Sequence, residues 1–458
     1  MLDYLEFSED YQIIPLREPK LKAMFIQNNT ITTKTVSSTA KLFGNITQLA
    51  KGIYPNSLPC PLKIPDYLKN AEKIIVFILV LDNLTQQEKE NFVKILKTAF
   101  GIYNNMRDVW IEFKIPMPYF DFRKKIIYFE NSKKGISEAI KKINNICKNH
   151  NIDFNTVKFA FIFGKRSNND FDYYQPLKKA LFDNHILSQN ILVDDTKSLY
   201  AYSNIIYDML TKLGYKFLAL EKELPYDYIL GVDVGYSEAY TGRVACCTAI
   251  FDSNGLLKNL IPISIENFPN SESARIGELL RRIDDSLIYN DINFSNSRIL
   301  LLRDGYLQRR EIKELEEFSK ERDCEITYIG VKKNIPFQLF VSQEENNNKR
   351  KFIYYPLCVR LGDIYLLCAH KTTYGYPRFI KIHEKYEIKN GIGKKTPISE
   401  KDINIIYQLT ALNHSSVGNP SNLRLPCPIY YSDMLAKALK KGWKLREELL
   451  KEGVLYFI

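Results

Sequence analysis

From residue 73 onwards the chain alternates between unbroken apolar runs and stretches whose apolar residues recur every three or four positions. Lys73-Ile-Ile-Val-Phe-Ile-Leu-Val-Leu81 reads as a strand buried on both faces. After it, 84–103 has helical spacing, 109–115 is extended, 132–149 is helical and 157–163 is extended. Such alternation predicts an α/β unit with a parallel, Rossmann-like sheet. No G-x-G-x-x-G follows the first strand, so a dinucleotide is not indicated. A second α/β unit starts near Tyr228, after Glu221-Lys-Glu-Leu-Pro-Tyr226. There, 241–251 and 257–265 flank Asp252-Ser-Asn-Gly255 and predict a hairpin. A helix is expected over 271–287, strands over 349–355, 358–367 and 376–386, and two closing helices over about 398–412 and 431–452. The first 70 residues mix short segments with Pro55, Pro59, Pro61 and Pro65 and read as an irregular lead-in. The expected division is 1–70, 71–222 and 223–458.

A chain of 458 residues exceeds what one core usually supports, in keeping with at least two domains. A net charge of +11 beside 30 Tyr and 26 Phe suits phosphate neutralisation and base stacking, although basic proteins without a nucleic-acid partner share it. The eight cysteines form no C-x-x-C pair and no paired spacing with the five histidines, which argues against zinc. The chain begins without a basic, apolar leader and holds no apolar run of membrane-spanning length. A cytoplasmic protein with no membrane insertion is expected.

Three aspartates stand at informative places. Tyr228-Ile-Leu-Gly-Val-Asp-Val-Gly235 and Ile299-Leu-Leu-Leu-Arg-Asp-Gly305 each carry an Asp at or near the end of an apolar run, and in Pro428-Ile-Tyr-Tyr-Ser-Asp433 the Asp is expected to open a helix. Alone, an Asp before Gly closes a turn and an Asp at a helix start is an N-cap. Together, in an α/β sheet, Asp233, Asp304 and Asp433 can share a divalent ion as an RNase H-like site does. Their order and flanking residues, with Val331-Lys-Lys333 and Tyr407-Gln-Leu-Thr410, resemble the PIWI domain of the Argonaute family. That resemblance covers about the last half of the chain. It implies an RNase H-like PIWI domain, with Mg²⁺ or Mn²⁺ as the ion.

Upstream, Tyr173-Tyr-Gln-Pro-Leu-Lys178, Ile186-Leu-Ser-Gln189 and Asn204 to Gly214 resemble the MID domain of Argonautes, the Rossmann-like domain that holds a guide strand's 5′ end. The match implies a 5′-phosphate pocket in which Lys178 and Lys212 supply charge, Gln189 an amide, and Tyr174 a plate for the first base. Tyr174 and Lys178 are spaced i, i+4, which puts both on one helix face. Where many family members have a second lysine, this chain has Asp208. The family's C-terminal carboxylate and a metal on the guide phosphate would offset it, so Ile458 is expected near the pocket as a further metal ligand; a simply packed C-terminus is the competing view.

Active relatives add a glutamate on a mobile segment, and an ungapped comparison places Glu272 there. Ser271-Glu-Ser is equally an acidic helix start. The chain lacks room for the family's N-terminal and PAZ domains, which implies a short, MID-PIWI-only prokaryotic member. Such members act as guide-loaded sensors in defence against foreign nucleic acid. The reading expected first is therefore recognition of a complementary target through an RNA or DNA guide, with signalling to a separately encoded effector or PAZ-like companion. The alternatives are a guide-directed, metal-dependent endonuclease using Asp233, Glu272, Asp304 and Asp433, and a docking subunit that binds no guide.

Overall fold

The computed structural model describes residues 11–27, 30–36, 58–69, 71–153, 156–165, 172–194, 201–236, 243–266, 275–286, 292–333, 335, 356–369, 379–414 and 425–456. The expected strand over 349–355 lies outside them, as do parts of the helix expected over 271–287.

Where described, the first 70 residues hold four strands and a helical turn and are not an irregular lead-in. β1 (Tyr11–Ile14), β2 (Leu21–Gln27), β3 (Thr30–Val36) and β4 (Leu58–Cys60) precede a single helical turn, α1 (Asp66–Lys69). Their partners are remote in sequence, which is why local pattern does not reveal them. Residues Tyr11 to Ile14 pair with Leu361 to Cys358, and Leu21 pairs with Leu220.

The next unit is β5 (Lys73–Leu81), α2 (Gln86–Glu112), β6 (Tyr119–Phe129), α3 (Lys133–Asn149), β7 (Lys158–Gly164), α4 (Tyr174–Asp183), β8 (Ile186–Leu192) and α5 (Ala201–Lys212), followed by β9 (Ala219–Leu220) against β2. Its sheet runs β6-β5-β7-β8 with every pair parallel, as the alternation predicts. Thr85 starts α2 with a capping box to Glu88. The buried stripe Phe92, Leu96, Ala99, Tyr103, Met106 and Trp110 then carries the helix to Glu112. The extended segment expected over 109–115 is therefore helical for its first four residues: Trp110 belongs to the stripe, and its indole N–H donates to the Pro59 carbonyl at 3.2 Å. The chain leaves the helix at Lys114, whose φ is 58°.

The last unit is built on one sheet. Its elements are β10 (Tyr228–Tyr236), β11 (Arg243–Asp252), β12 (Leu257–Glu266), α6 (Ile276–Asp284), β13 (Arg298–Asp304), α7 (Arg309–Arg322), β14 (Glu325–Lys332), β15 (Leu357–Leu361), β16 (Ile364–Cys368), β17 (Ile380–Lys389), β18 (Ile392–Lys395), α8 (Glu400–Thr410), α9 (Cys427–Lys440) and α10 (Glu447–Lys451). The order is β1-β15-β16-β17-β14-β13-β10-β11-β12, with β18 on β17. β10, β13 and β14 run parallel at the centre, and α6 with α7 cover one face while α9 covers the other. The hairpin at Asp252 is as expected, its carboxylate accepting from the Asn254 and Leu256 amides. Two expected elements are each divided at a glycine in the left-handed region. The run 358–367 is two strands turning at Gly362 (φ 57°), and 431–452 is two helices parted at Gly442 (φ 70°).

Candidate functional site: a carboxylate triad and a lysine-lined pocket

In the β10–β13 register Val232 lies opposite Arg303, so Asp233 and Asp304 come next on adjacent parallel strands. Strand alternation decides which way they point. Leu230, Val232, Ile299 and Leu301 join the core beneath α6 and α7, whereas Ile229, Leu300 and Leu302 share a core with Ile429 and Tyr431 of α9. Asp233 and Asp304 follow the second parity and face α9. Arg303 follows the first, and its guanidinium is ion-paired with Glu311 of α7, both groups buried.

Asp433 sits within α9, which begins at Cys427, and does not open the helix as expected. Pro428, at the start of this helix, supplies the preset φ. Gly231 brings α9 close: a Cβ there would stand 2.0 Å from the Pro428 carbonyl carbon. The helix thus lies on β10 with Asp433 over the strand end. Glu272 lies outside the described residues.

Two lysines that the sequence reading left without a role complete this cluster. Ile329 and Val331 face the α9 side from β14, and Lys333 has the same parity just beyond it. Its Nζ stands 2.8 Å from Asp433 Oδ1, 3.1 Å from Asp304 Oδ2 and 3.5 Å from Asp233 Oδ1. Lys437, one turn after Asp433, donates to Asp433 Oδ2 at 2.6 Å. The i, i+4 spacing was the available signal for Lys437, and strand parity for Lys333. Burial pushes the Asp233 carboxyl up despite the facing ammonium. Burial also acts upward on Asp433, but hydrogen bonds from Lys333 and Lys437 outweigh it and hold the group low.

Among the described residues no three His, Cys, Asp or Glu side chains are placed to hold a metal ion as they stand. The triad nevertheless suits a hard divalent cation in donor chemistry, and the Lys333 ammonium at its centre is a stand-in cation. Asp233, Asp304 and Asp433 would hold such an ion once drawn together.

The second cluster joins α4, β8 and α5. Lys178 Nζ donates to the Tyr174 hydroxyl at 3.2 Å and lies 5.4 Å from the centre of its ring. Lys212 Nζ donates to the Ser188 carbonyl at 3.4 Å, next to Gln189. Gln189 Nε2 donates to the Asn190 carbonyl, and its buried Oε1 has no hydrogen-bond partner among the described residues. Both lysines are almost fully buried. Burial drives Lys178 well below the usual ammonium range, reinforced by Lys212 and by Lys441, a further cation the sequence reading missed. Burial brings Lys212 down to about 8, with Asp208 acting against it. Of the expected residues, Tyr174 and Lys178 are thus in contact, and Lys212 reaches the strand that carries Gln189.

The end of the chain packs on the same helix. Tyr456 stacks on Phe182 of α4 at 4.1 Å, and Lys216 donates to the Gly453 carbonyl at 2.7 Å. Ile458 lies outside the described residues.

A Rossmann-like sheet with two buried lysines beside it, followed by an RNase H-like sheet with three convergent aspartates, defines the MID-PIWI class of fold. The chain belongs to the Piwi-domain family, whose model matches residues 159–444. It is 31% identical over 466 residues to the Argonaute of Methanocaldococcus jannaschii, covering 99% of this chain and 60% of that protein. It is 30% identical over 430 residues to the Argonaute of Pyrococcus furiosus, covering 88% and 53%. The solved M. jannaschii Argonaute superposes with a TM-score of 0.81 at 29% identity, over 97% of this chain and 59% of that one. The C-terminal lobe of a budding yeast Argonaute shares the fold, with a TM-score of 0.58 at 16% identity over 100% and 98% of the two chains. This chain thus spans little more than half the length of the curated relatives it matches. Among the described residues no helix is long and apolar enough to cross a membrane.

Proposed function

We propose that this chain is a guide-dependent nucleic-acid-binding protein of MID-PIWI organisation, with 71–222 holding the guide's 5′ end and 223–458 the guide–target duplex. The observation that carries the reading is the pair of buried lysines, Lys178 and Lys212, beside Tyr174 and the strand that bears Gln189, with Lys212 adding to the burial that lowers Lys178. Two buried lysines whose charged form is disfavoured gain most from an incoming anion, and a terminal phosphate is one. Tyr174 offers the first base a ring, Gln189 an amide, and a carboxylate at Ile458 a further ligand for a metal on the phosphate. The M. jannaschii Argonaute has been solved in complex with guide DNA, at a TM-score of 0.77 and 27% identity to this chain. That makes DNA the first guide to test here. Base pairing reads the target, while the protein holds backbone and shape. Recognition then passes to a separately encoded effector, or a PAZ-like companion, in prokaryotic defence within the cytoplasm.

The pocket's charge state makes guide affinity depend on pH. Below about pH 8 Lys212 is already an ammonium in the free protein. Phosphate favours the charged form, so its pKa rises on binding; above pH 8 the free protein must take up a proton to bind. Affinity for a 5′-phosphorylated guide is expected to fall as pH rises, Lys212 contributing up to about tenfold between pH 8 and 9 and the more strongly lowered Lys178 adding a loss that begins at lower pH. Fluorescence anisotropy with 5′-phosphate and 5′-hydroxyl guides measures this, and equal slopes for both would remove the lysines from the account.

A second reading, target cleavage, is favoured by the convergence of Asp233, Asp304 and Asp433. Divalent ions serve catalysis in this family; bound here, such an ion, Mg²⁺ or Mn²⁺, would supply activation of water and stabilisation of the leaving oxygen. Asp233 and Asp304 would grip such an ion from rigid strand ends and Asp433 from α9, with Glu272 as a fourth ligand. The deciding experiment extracts nucleic acid from the purified protein, then supplies guide, complementary labelled target and Mg²⁺ or Mn²⁺. Recruitment predicts tight, salt-dependent target binding with slow or absent cutting, and an Asp233→Ala/Asp304→Ala variant that keeps its biological activity. Efficient cutting that this variant loses, with binding intact, establishes the nuclease instead.

A further inference from the structure

Val331-Lys-Lys333 closes β14, and the parity that buries Val331 against α9 also aims Lys333 at the triad. The lysine engages Asp304 twice. Its backbone N–H donates to Asp304 Oδ1 at 3.2 Å, and its Nζ lies 3.1 Å from Oδ2. The same Nζ reaches Asp433 Oδ1 and Asp233 Oδ1 at 2.8 and 3.5 Å. The ammonium therefore occupies the point on which all three carboxylates converge. Asp433 Oδ2 is meanwhile taken by Lys437.

This arrangement is incompatible with a bound ion. Mg²⁺ holds oxygen at about 2.0–2.1 Å, so the carboxylates around Lys333 stand roughly 1 Å too far from the centre to close on one. The ammonium and a divalent ion also compete for one pool of negative charge. Lys333 is equipped to leave: its side chain retains 21% of its exposure and hangs on a flexible four-carbon stem.

Building on the reading of the triad as a metal site, we propose that Lys333 is its resident counter-cation, an internal competitor that a divalent ion must displace. Lys333 thereby sets the metal concentration at which the site fills. Any ligand that draws the ammonium away, above all a nucleic-acid phosphate, tightens metal binding by linkage.

The test titrates Mn²⁺ alone into guide-free protein, read by calorimetry and by electron paramagnetic resonance. Lys333→Gln is expected to bind Mn²⁺ at least about tenfold more tightly than the unaltered chain, since one unit of competing charge is gone. Lys333→Arg, which keeps the charge and preserves the fold if the glutamine variant misfolds, is expected to bind no better than the unaltered chain. Asp433→Asn should abolish the site in each background. Equal Mn²⁺ affinity in the Lys333→Gln and unaltered proteins overturns the proposal, as does tight binding by Lys333→Arg. If no protein binds Mn²⁺ in an Asp433-dependent way, the metal-site reading falls, and the proposal falls with it.

Discussion

Replacing Lys178 and Lys212 together by alanine is expected to weaken binding of a 5′-phosphorylated guide by about two to four orders of magnitude. Each lysine offers a charge-assisted hydrogen bond worth about 1.5–3 kcal/mol, and 1.4 kcal/mol is tenfold in affinity. The two sit close enough to repel one another, so their contributions will not simply add, and the single variants should each lose about 10- to 150-fold. Fold stability should move the other way. Both ammonium groups are buried, so removing one in the guide-free protein relieves desolvation and mutual repulsion. The combination of weaker guide binding and an unchanged or raised melting temperature distinguishes a binding lysine from a structural one. Filter binding with 5′-phosphate and 5′-hydroxyl guides reads the first, and thermal unfolding the second. A variant that binds both guides as well as the unaltered chain does would end the pocket assignment.

Arg303→Leu is expected to destabilise the second domain by about 3–5 kcal/mol, the cost of stranding one member of a buried ion pair. Arg303 precedes Asp304 on β13 but points to the opposite face, where its partner Glu311 is fully buried in the first turn of α7. Glu311 also accepts from the Gln308 amide at 2.8 Å and so caps that helix. Without the guanidinium the carboxylate keeps its cap but loses its counter-charge in a dry core. The double change Arg303→Met/Glu311→Leu should recover most of the loss, because no charge is then left buried. Denaturant unfolding of the three variants measures this; if the double variant is no more stable than Arg303→Leu, the damage comes from lost packing and not from the unpaired acid.

The sequence by itself determined the alternating units, the parallel sheet of the first and the central strands of the second. It did so because apolar runs such as Ile74 to Leu81 and Ile299 to Leu302 carry burial on both strand faces in their composition. It also determined that Tyr174 and Lys178 meet, since they are one helical turn apart and need no tertiary information to share a face. Elements whose stability comes from remote partners were not legible. Strand β1 exists because Leu361 to Cys358 offer it an edge, and the end of α2 stays helical because Trp110 meets Pro59. The position of Asp433 within α9 depends on how closely that helix can lie on Gly231, a contact between residues almost 200 positions apart. The place of Lys333 was decided the same way. Local sequence assigns a side chain to a face of its strand or helix, but which charges meet across that face depends on packing between separate elements. Thus three aspartates could be read as a site from sequence, while the ammonium among them was visible only once β10, β13, β14 and α9 had been brought together.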